Sequence, residues 1–236
     1  MSIAWPTVPS RYCGVWQRTL YAEPAAPPHG VRDTTSRVVW LQTASWHADL
    51  RLTVERPDFN GISGLDGCNR EQLLWLADLT AFAGLTQVDA SFETPPGGES
   101  CTWHRVADLL PSLERDSGIM HFDGDNTLEE RHPSGRYLER WERLANGNRD
   151  EHLAFDAQGR PVWLQLGDHA VAIAHRPPGA DAATLYTHLK DLNDAALRWR
   201  AGLRFDYLRR DAESWRVALS THPWRVGLCL PSPVAD

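Results

Sequence analysis

Apolar and polar residues alternate over positions 11–22, where Tyr, Val, Trp, Thr and Leu fill the run, and a strand is expected there. The same period of two continues over 37–43 and 46–54, and the short Ala44-Ser45 break between them reads as a hairpin. Pro57 ends this series, since proline cannot donate to a ladder. A helix is expected over 70–82. Asn69 can cap it, Glu71 and Gln72 occupy its first turn, and Leu73 to Ala77 make it apolar over much of its circumference. Strands are expected again at 86–92, 100–107, 119–123 and 127–131, with Pro95-Pro96-Gly97-Gly98 as a turn. A second series follows: strands at 137–144, 151–155, 162–166 and 169–176, a turn at Asp156 to Gly159, a helix over 182–199 capped by Asp181, and strands at 203–210, 214–220 and 224–230. Many short strands with about one helix per series predict a mainly β fold of antiparallel barrels.

The two series share residues. Arg11-Tyr12…Trp16-x-Arg18 recurs as Arg136-Tyr137…Trp141-x-Arg143. Val39-Trp40-Leu41-Gln42 recurs at Val162 to Gln165, Arg56-Pro57 at Arg176-Pro177, and Ala83-Gly84-Leu85 at Ala201-Gly202-Leu203. Trp103-His104-Arg105-Val106-Ala107 recurs, one residue shorter, as Trp215-Arg216-Val217-Ala218. The spacing between matched positions shrinks steadily along the chain, as expected of a duplicated unit whose second copy lost loop residues. The expected organisation is one barrel in residues 1–133 and another in 134–236, packed as one rigid body.

Composition narrows the function. The net charge of −7 and the lack of a basic run disfavour nucleic acid and anionic lipid. No apolar stretch reaches the ~18 residues of a membrane span, and the N-terminal residues do not read as a signal peptide. Four cysteines without a C-x-x-C spacing argue against structural zinc and fit reduced thiols in the cytoplasm. Eleven tryptophans could line an aromatic pocket; those at matched positions (Trp16 and Trp141, Trp40 and Trp163, Trp103 and Trp215) read more naturally as core.

Gly14-Val15-Trp16 on a first strand resembles the Gly-x-Trp opening of calycins, the lipocalin-like superfamily. The ordered set Trp40 to Thr43, Asp49 to Arg51, Phe82 to Gly84, Trp103 to Arg105 and Tyr137 to Trp141 is similar to a family of poorly characterised bacterial proteins, themselves similar to a fungal kinase-interacting two-barrel protein. The resemblance implies tandem lipocalin-like barrels, with the opening Trp plugging one end under an Arg from a late strand. It implies no reaction.

Residues unique to one copy are the candidates for function. His47, Asp49 and Arg51 alternate and so share a strand face. His104 belongs to the first-copy Trp-His-Arg and reads as lost from the second. His104 and His47 are the proton-transfer candidates, with Asp49 to orient or pair. Arg51 and Arg105 would bind an anionic group, and Trp40 and Trp103 would line the ligand. A bland alternative makes Asp49–Arg51 a surface or inter-barrel ion pair on a polar outer sheet face. His47-x-Asp49 with His104 also has the order of a two-His, one-carboxylate iron site, but no downstream motif accompanies it and no metal or cofactor is expected. Nucleophile elbows and phosphate-cradling loops are absent, and Glu129-Glu130 reads as a solvated strand end. The expected function is therefore binding of a small hydrophobic or aromatic molecule in a barrel cavity. Two extensions stay open: acid–base chemistry of a cofactor-independent lyase, hydratase or isomerase, and a non-catalytic ligand-binding or protein-interaction scaffold.

Overall fold

A computed structural model describes residues 7–26, 30–89, 98–145, 147, 150–179, 182–211 and 214–231. The strands are β1 (Gly14–Glu23), β2 (Val31–Asp33), β3 (Arg37–Gln42), β4 (Trp46–Leu52), β5 (Thr80–Asp89), β6 (Glu99–Asp108), β7 (Ser117–Phe122), β8 (Thr127–Arg131) and β9 (Leu138–Arg143) in one sheet. A second sheet holds β10 (Glu151–Phe155), β11 (Pro161–Leu166), β12 (His169–Ala174), β13 (Arg204–Asp211), β14 (Ser214–Ser220) and β15 (Cys229–Leu230). Helices α1 (Arg70–Ala77) and α2 (Asp194–Ala201) stand before β5 and β13 and pack on each other.

In the first sheet β1 and β3 to β9 follow one another as antiparallel neighbours, and β9 pairs back to β1, closing an eight-stranded barrel. β2 extends the far end of β1. The second sheet has the same order of elements, yet among the described residues β10 and β15 do not meet. Two closed barrels were expected; the structure shows one closed barrel and one open sheet.

The strongest sequence repeat proves to be something other than the start of a second unit. Its two copies lie on β1 and β9, side by side and antiparallel, with Trp16 opposite Arg143 and Arg18 opposite Trp141. The strand at 138–143, placed by sequence in the second unit, is the strand that closes the first sheet. The topological partner of β1 is β10, where Ala154 stands opposite Trp163 as Trp16 stands opposite Trp40.

The likeness between the two halves lies in the helices and the strands beside them. Asn69 and Asn193 cap α1 and α2 by accepting from Gln72 N and Ala196 N, and Gln72 completes a capping box. Leu73, Trp75, Ala77 and Leu79 then correspond to Leu197, Trp199, Ala201 and Leu203. The matched Ala83-Gly84-Leu85 and Ala201-Gly202-Leu203 occupy different elements, the first mid-strand and the second at the end of a helix. Accordingly α1 stops at Ala77 rather than 82, and the alternating Thr80 to Asp89 runs as strand. The helix expected over 182–199 is two short 3-10 turns, Ala182–Leu185 and Leu189–Asp191, followed by α2. Its expected cap Asp181, and most of the Pro95 to Gly98 turn, lie outside the described residues.

Three apolar clusters follow from the alternation, one of them (Trp163, Ala170, Leu208, Trp215 and Val217) within the second sheet. The barrel interior takes Trp16, Trp40, Trp103, Met120, Leu128 and Trp141. The outer face of β3 to β5 turns Val39, Leu41, Leu50 and Ala83 onto Leu164, Val171, Phe205 and Leu219 of the second sheet, with α1 and α2 adding Leu73, Leu76 and Leu197. β3 and β4 are thus covered on both faces, which is why Val38 to Gln42 and His47 to Leu50 are buried without a break. Each fully buried Leu or Val there contributes about 1.5–3 kcal/mol.

Candidate functional site

Arg143 on the closing strand holds the Trp16 end of the barrel. Its guanidinium lies 4.2 Å from the Trp16 ring centroid and donates to the carbonyls of Arg11 (2.7 Å), Cys13 and Asp125 (3.0 Å). A Cβ at Gly14 would strike that guanidinium, so the Gly-x-Trp opening has a steric reason. The rings of Trp16, Trp40, Trp103 and Trp141 then pack in sequence, Trp40 touching the other three at centroid distances of 5.9 to 6.1 Å.

Beyond these rings the interior becomes charged. Asp49 and Arg51 are two apart on β4 and point inward, and Arg51 Nε donates to Asp49 Oδ1 at 2.9 Å. Glu139 on β9 is fully buried; its Oε1 accepts from Arg51 Nη1 (2.8 Å) and Arg18 Nη1 (2.7 Å). Arg18 also reaches Asp33 on β2 (2.9 Å). Arg105 on β6 lies 3.6 Å over the Phe82 ring and donates to Asp116 (2.7 and 2.9 Å) and Asp108 (3.1 Å). Against the opposing effect of burial, Asp49 and then Glu139 hold the Arg51 guanidinium cationic, its pKa well above the usual arginine value. Charges this deep are costly unless paired, and each arginine here has at least two carboxylate partners.

Among the tryptophans and these acids lies an inner chamber of about 10 Å³, walled by Trp40, Trp103, Trp141, Phe82, Asp49 and Glu130 among others. That is room for about one water molecule, so the aromatic interior is filled by its own side chains. Larger clefts lie outside it, two of them at the mouth. A cleft of about 280 Å³ is lined by Arg51, Arg105, Arg115, Arg136, Tyr21 and Tyr137, with Thr80, Ser117, Asp116 and His132. A larger cleft of about 610 Å³ has Trp75, Leu52, Leu79 and Val31 in its wall, with Arg18 and Asp33. Both clefts include Tyr21, Arg51 and Thr80 and therefore adjoin.

The residues singled out by sequence separate in space. Asp49, Arg51, Trp40 and Trp103 surround the inner chamber, and Arg51 and Arg105 reach the mouth. His47 faces inward but is sealed: its Nδ1 lies 3.0 Å from Thr86 Oγ1, which donates to Gln42 Oε1. Burial first, then the nearby Arg105 and His104 charges, push its pKa down to about 3, so the imidazole is neutral. His104 lies on the face of β6 opposite Trp103, its Nε2 3.1 Å from Gln87 Oε1, and lines neither mouth cleft. His47 and His104 are thus apart from the mouth, and among the described residues no group of three metal-binding side chains is assembled. The bland reading of Asp49–Arg51 as a surface pair is corrected, since Asp49 is 3% exposed.

The sequence reading missed Glu130, Glu139 and Tyr137. The Glu129-Glu130 pair, expected to be a solvated strand end, splits across the sheet. Glu129 turns out to Arg131 and Arg140, whereas Glu130 turns in and is 3% exposed. Room for it comes from Gly118 on β7, where a Cβ would collide with the Glu130 side chain. Burial, then Glu139, Asp116 and Asp49, raise the Glu130 pKa well above the carboxylate range despite the opposing pull of Arg51. The available signal was strict alternation on β8, where Leu128 and Glu130 share the inward face.

No family model, curated protein or solved structure matches the chain. Among the described residues no helix is long and apolar enough to cross a membrane.

Proposed function

We propose that the chain binds a small amphipathic acid, a molecule with an apolar or aromatic body and an anionic head, across the mouth of the barrel. One observation carries this reading: the two clefts adjoin at Arg51, and their walls differ in kind. The larger offers Trp75, Leu52, Leu79 and Val31 to an apolar body. The smaller offers Arg115 and Arg136, whose charges are the least neutralised at the mouth: Arg115 bonds Thr102 Oγ1 (3.0 Å) and Arg136 is 3.7 Å from Glu114. The larger volume suits a ligand of drug-like size. The filled interior argues against a ligand among the tryptophans.

Three further features support associated proposals. The closed up-and-down barrel and the Arg143 cap on Trp16 support a lipocalin-like reading of the first unit, with the second sheet as an opened relative. The free cysteines Cys13, Cys68, Cys101 and Cys229 support a reducing, cytoplasmic setting. The net charge of −7 supports a small-molecule partner over nucleic acid.

The test is a fluorescence titration with anilinonaphthalene sulfonate, an aromatic anion. Saturable binding of one molecule per chain is expected, weakened by salt and by about tenfold or more in the Arg115→Gln, Arg136→Gln double variant. Absence of saturation, or equal affinity in the variant, would overturn the reading and favour the interaction scaffold.

A further inference from the structure

The Tyr137 hydroxyl lies 3.4 Å from Glu130 Oε1. Glu130 belongs to the wall of the inner chamber, with Trp40 and Trp141, whereas Tyr137 belongs to the wall of the smaller mouth cleft, with Arg51 and Arg105. An acid and a phenol therefore form a path from the inner chamber to the place where a ligand would sit. We propose that Tyr137 and Glu130 are a proton-donating pair for an oxygen atom of the bound molecule, Tyr137 touching it and Glu130 standing behind. The inference rests on the binding reading above and narrows its ligand: beside the anionic head, the molecule carries a basic oxygen such as an enolate or phenolate.

The surroundings suit the task. Glu130 faces Glu139 from β9, Asp49 and Arg51 from β4, Asp116 ahead of β7 and Cys101 from β6. Burial and three carboxylates keep its proton on, and burial, with the Glu139 charge, keeps Tyr137 a neutral phenol. In the transfer, the Tyr137 O–H bond breaks as the ligand oxygen gains the proton. The Glu130 O–H bond breaks as that of Tyr137 re-forms. The negative charge moves from the ligand oxygen to Glu130, where Arg51 faces it, and no oxidant or co-reactant is needed. Neither His47, sealed behind Thr86, nor His104, on the opposite face of β6, stands in this path.

The probe is a hydroxycoumarin carboxylate, an aromatic acid whose phenol and phenolate forms absorb at different wavelengths. At saturating protein its phenolate is expected to form at higher pH than in water. Glu130→Gln, folded by circular dichroism, is expected to lose at least half of that displacement, and Tyr137→Phe nearly all of it. A probe that binds but titrates alike in wild type and both variants would overturn the proton pair while leaving the binding site intact. A probe that does not bind would overturn the binding reading and this inference with it. Infrared spectra of the wild type give a measurement free of variants. A carboxylic-acid C=O band is expected at neutral pH, and its absence would overturn the proposal.

Discussion

At Glu130 burial and the neighbouring carboxylates act in the same direction and outweigh Arg51, which makes its effect on stability open to a signed prediction. An unfolded glutamate loses its proton near pH ~4.3, whereas the folded group keeps it to well above that range. Below the unfolded value both states are protonated and the site costs nothing. As pH rises the unfolded chain alone releases the proton, so stability falls by up to about 1.4 kcal/mol per pH unit until the folded group also ionises. Glutamine is neutral throughout. The urea midpoint of Glu130→Gln should therefore exceed that of wild type at pH 8, with a margin that shrinks towards pH 4; a margin independent of pH would refute the assignment. The same residue shows what a linear reading can miss. His47, Asp49 and Arg51 announce themselves because they alternate within one strand. Glu130 and Glu139 stand opposite each other on β8 and β9, and only barrel closure brings Arg18 of β1 to Glu139. Glu130 also stands next to Glu129, and adjacency in sequence reads as a charged run although the two side chains occupy opposite sheet faces.

Between elements, the β1–β9 seam decides whether the first sheet is a barrel or an open sheet like the second. Arg143 spans that seam: it leaves β9, stacks on Trp16 of β1 and donates to the Arg11 and Cys13 carbonyls that lead into β1. Arg143→Ala removes these hydrogen bonds and the stacking while leaving the Arg11 and Cys13 carbonyls without their partner. A cost of about 2–4 kcal/mol is expected from the lost charge-assisted bonds and ring contact. Amide exchange should accelerate first in β1 and β9, and uniform acceleration across both sheets would argue against a local seam. Element positions were legible wherever alternation or a cap was strong, as in β3, β4, β8 and the Asn69 cap. The motif Trp-x-Arg was legible too, but its meaning was not. A repeat in the chain is equally consistent with the first strands of two domains and with two neighbours in one sheet, and pairing alone separates the cases.

On the scale of the whole chain, the barrel and the open sheet share one core, and this settles how the protein should unfold. Leu41, Leu50 and Ala83 on the barrel's outer face meet Leu164, Val171 and Phe205 of the second sheet in a single apolar cluster, with α1 and α2 between their margins. Hydrogen bonds cross the same boundary: Arg176 donates to the carbonyls of Asp108 and Leu109 (2.9 and 2.8 Å), and Arg70 to those of Lys190 and Leu192 (3.2 and 3.0 Å). Sequence reasoning expected one rigid body from apolar content and a short linker; the shared core rests on β3 and β4, which are apolar on one face for the second sheet and largely aromatic or polar on the other for the barrel interior. Neither sheet can leave without exposing that layer to water, so unfolding should be one transition. Phe205→Ala, at a fully buried position of the second sheet, is expected to cost about 3–5 kcal/mol. If the core is shared, amide protection in β4 of the barrel and β12 of the sheet should fall by the same factor in this variant. Loss confined to β12 and β13, with β4 unchanged, would mean that the barrel stands on its own and that the mouth clefts, Arg51 included, are independent of the sheet packed behind them.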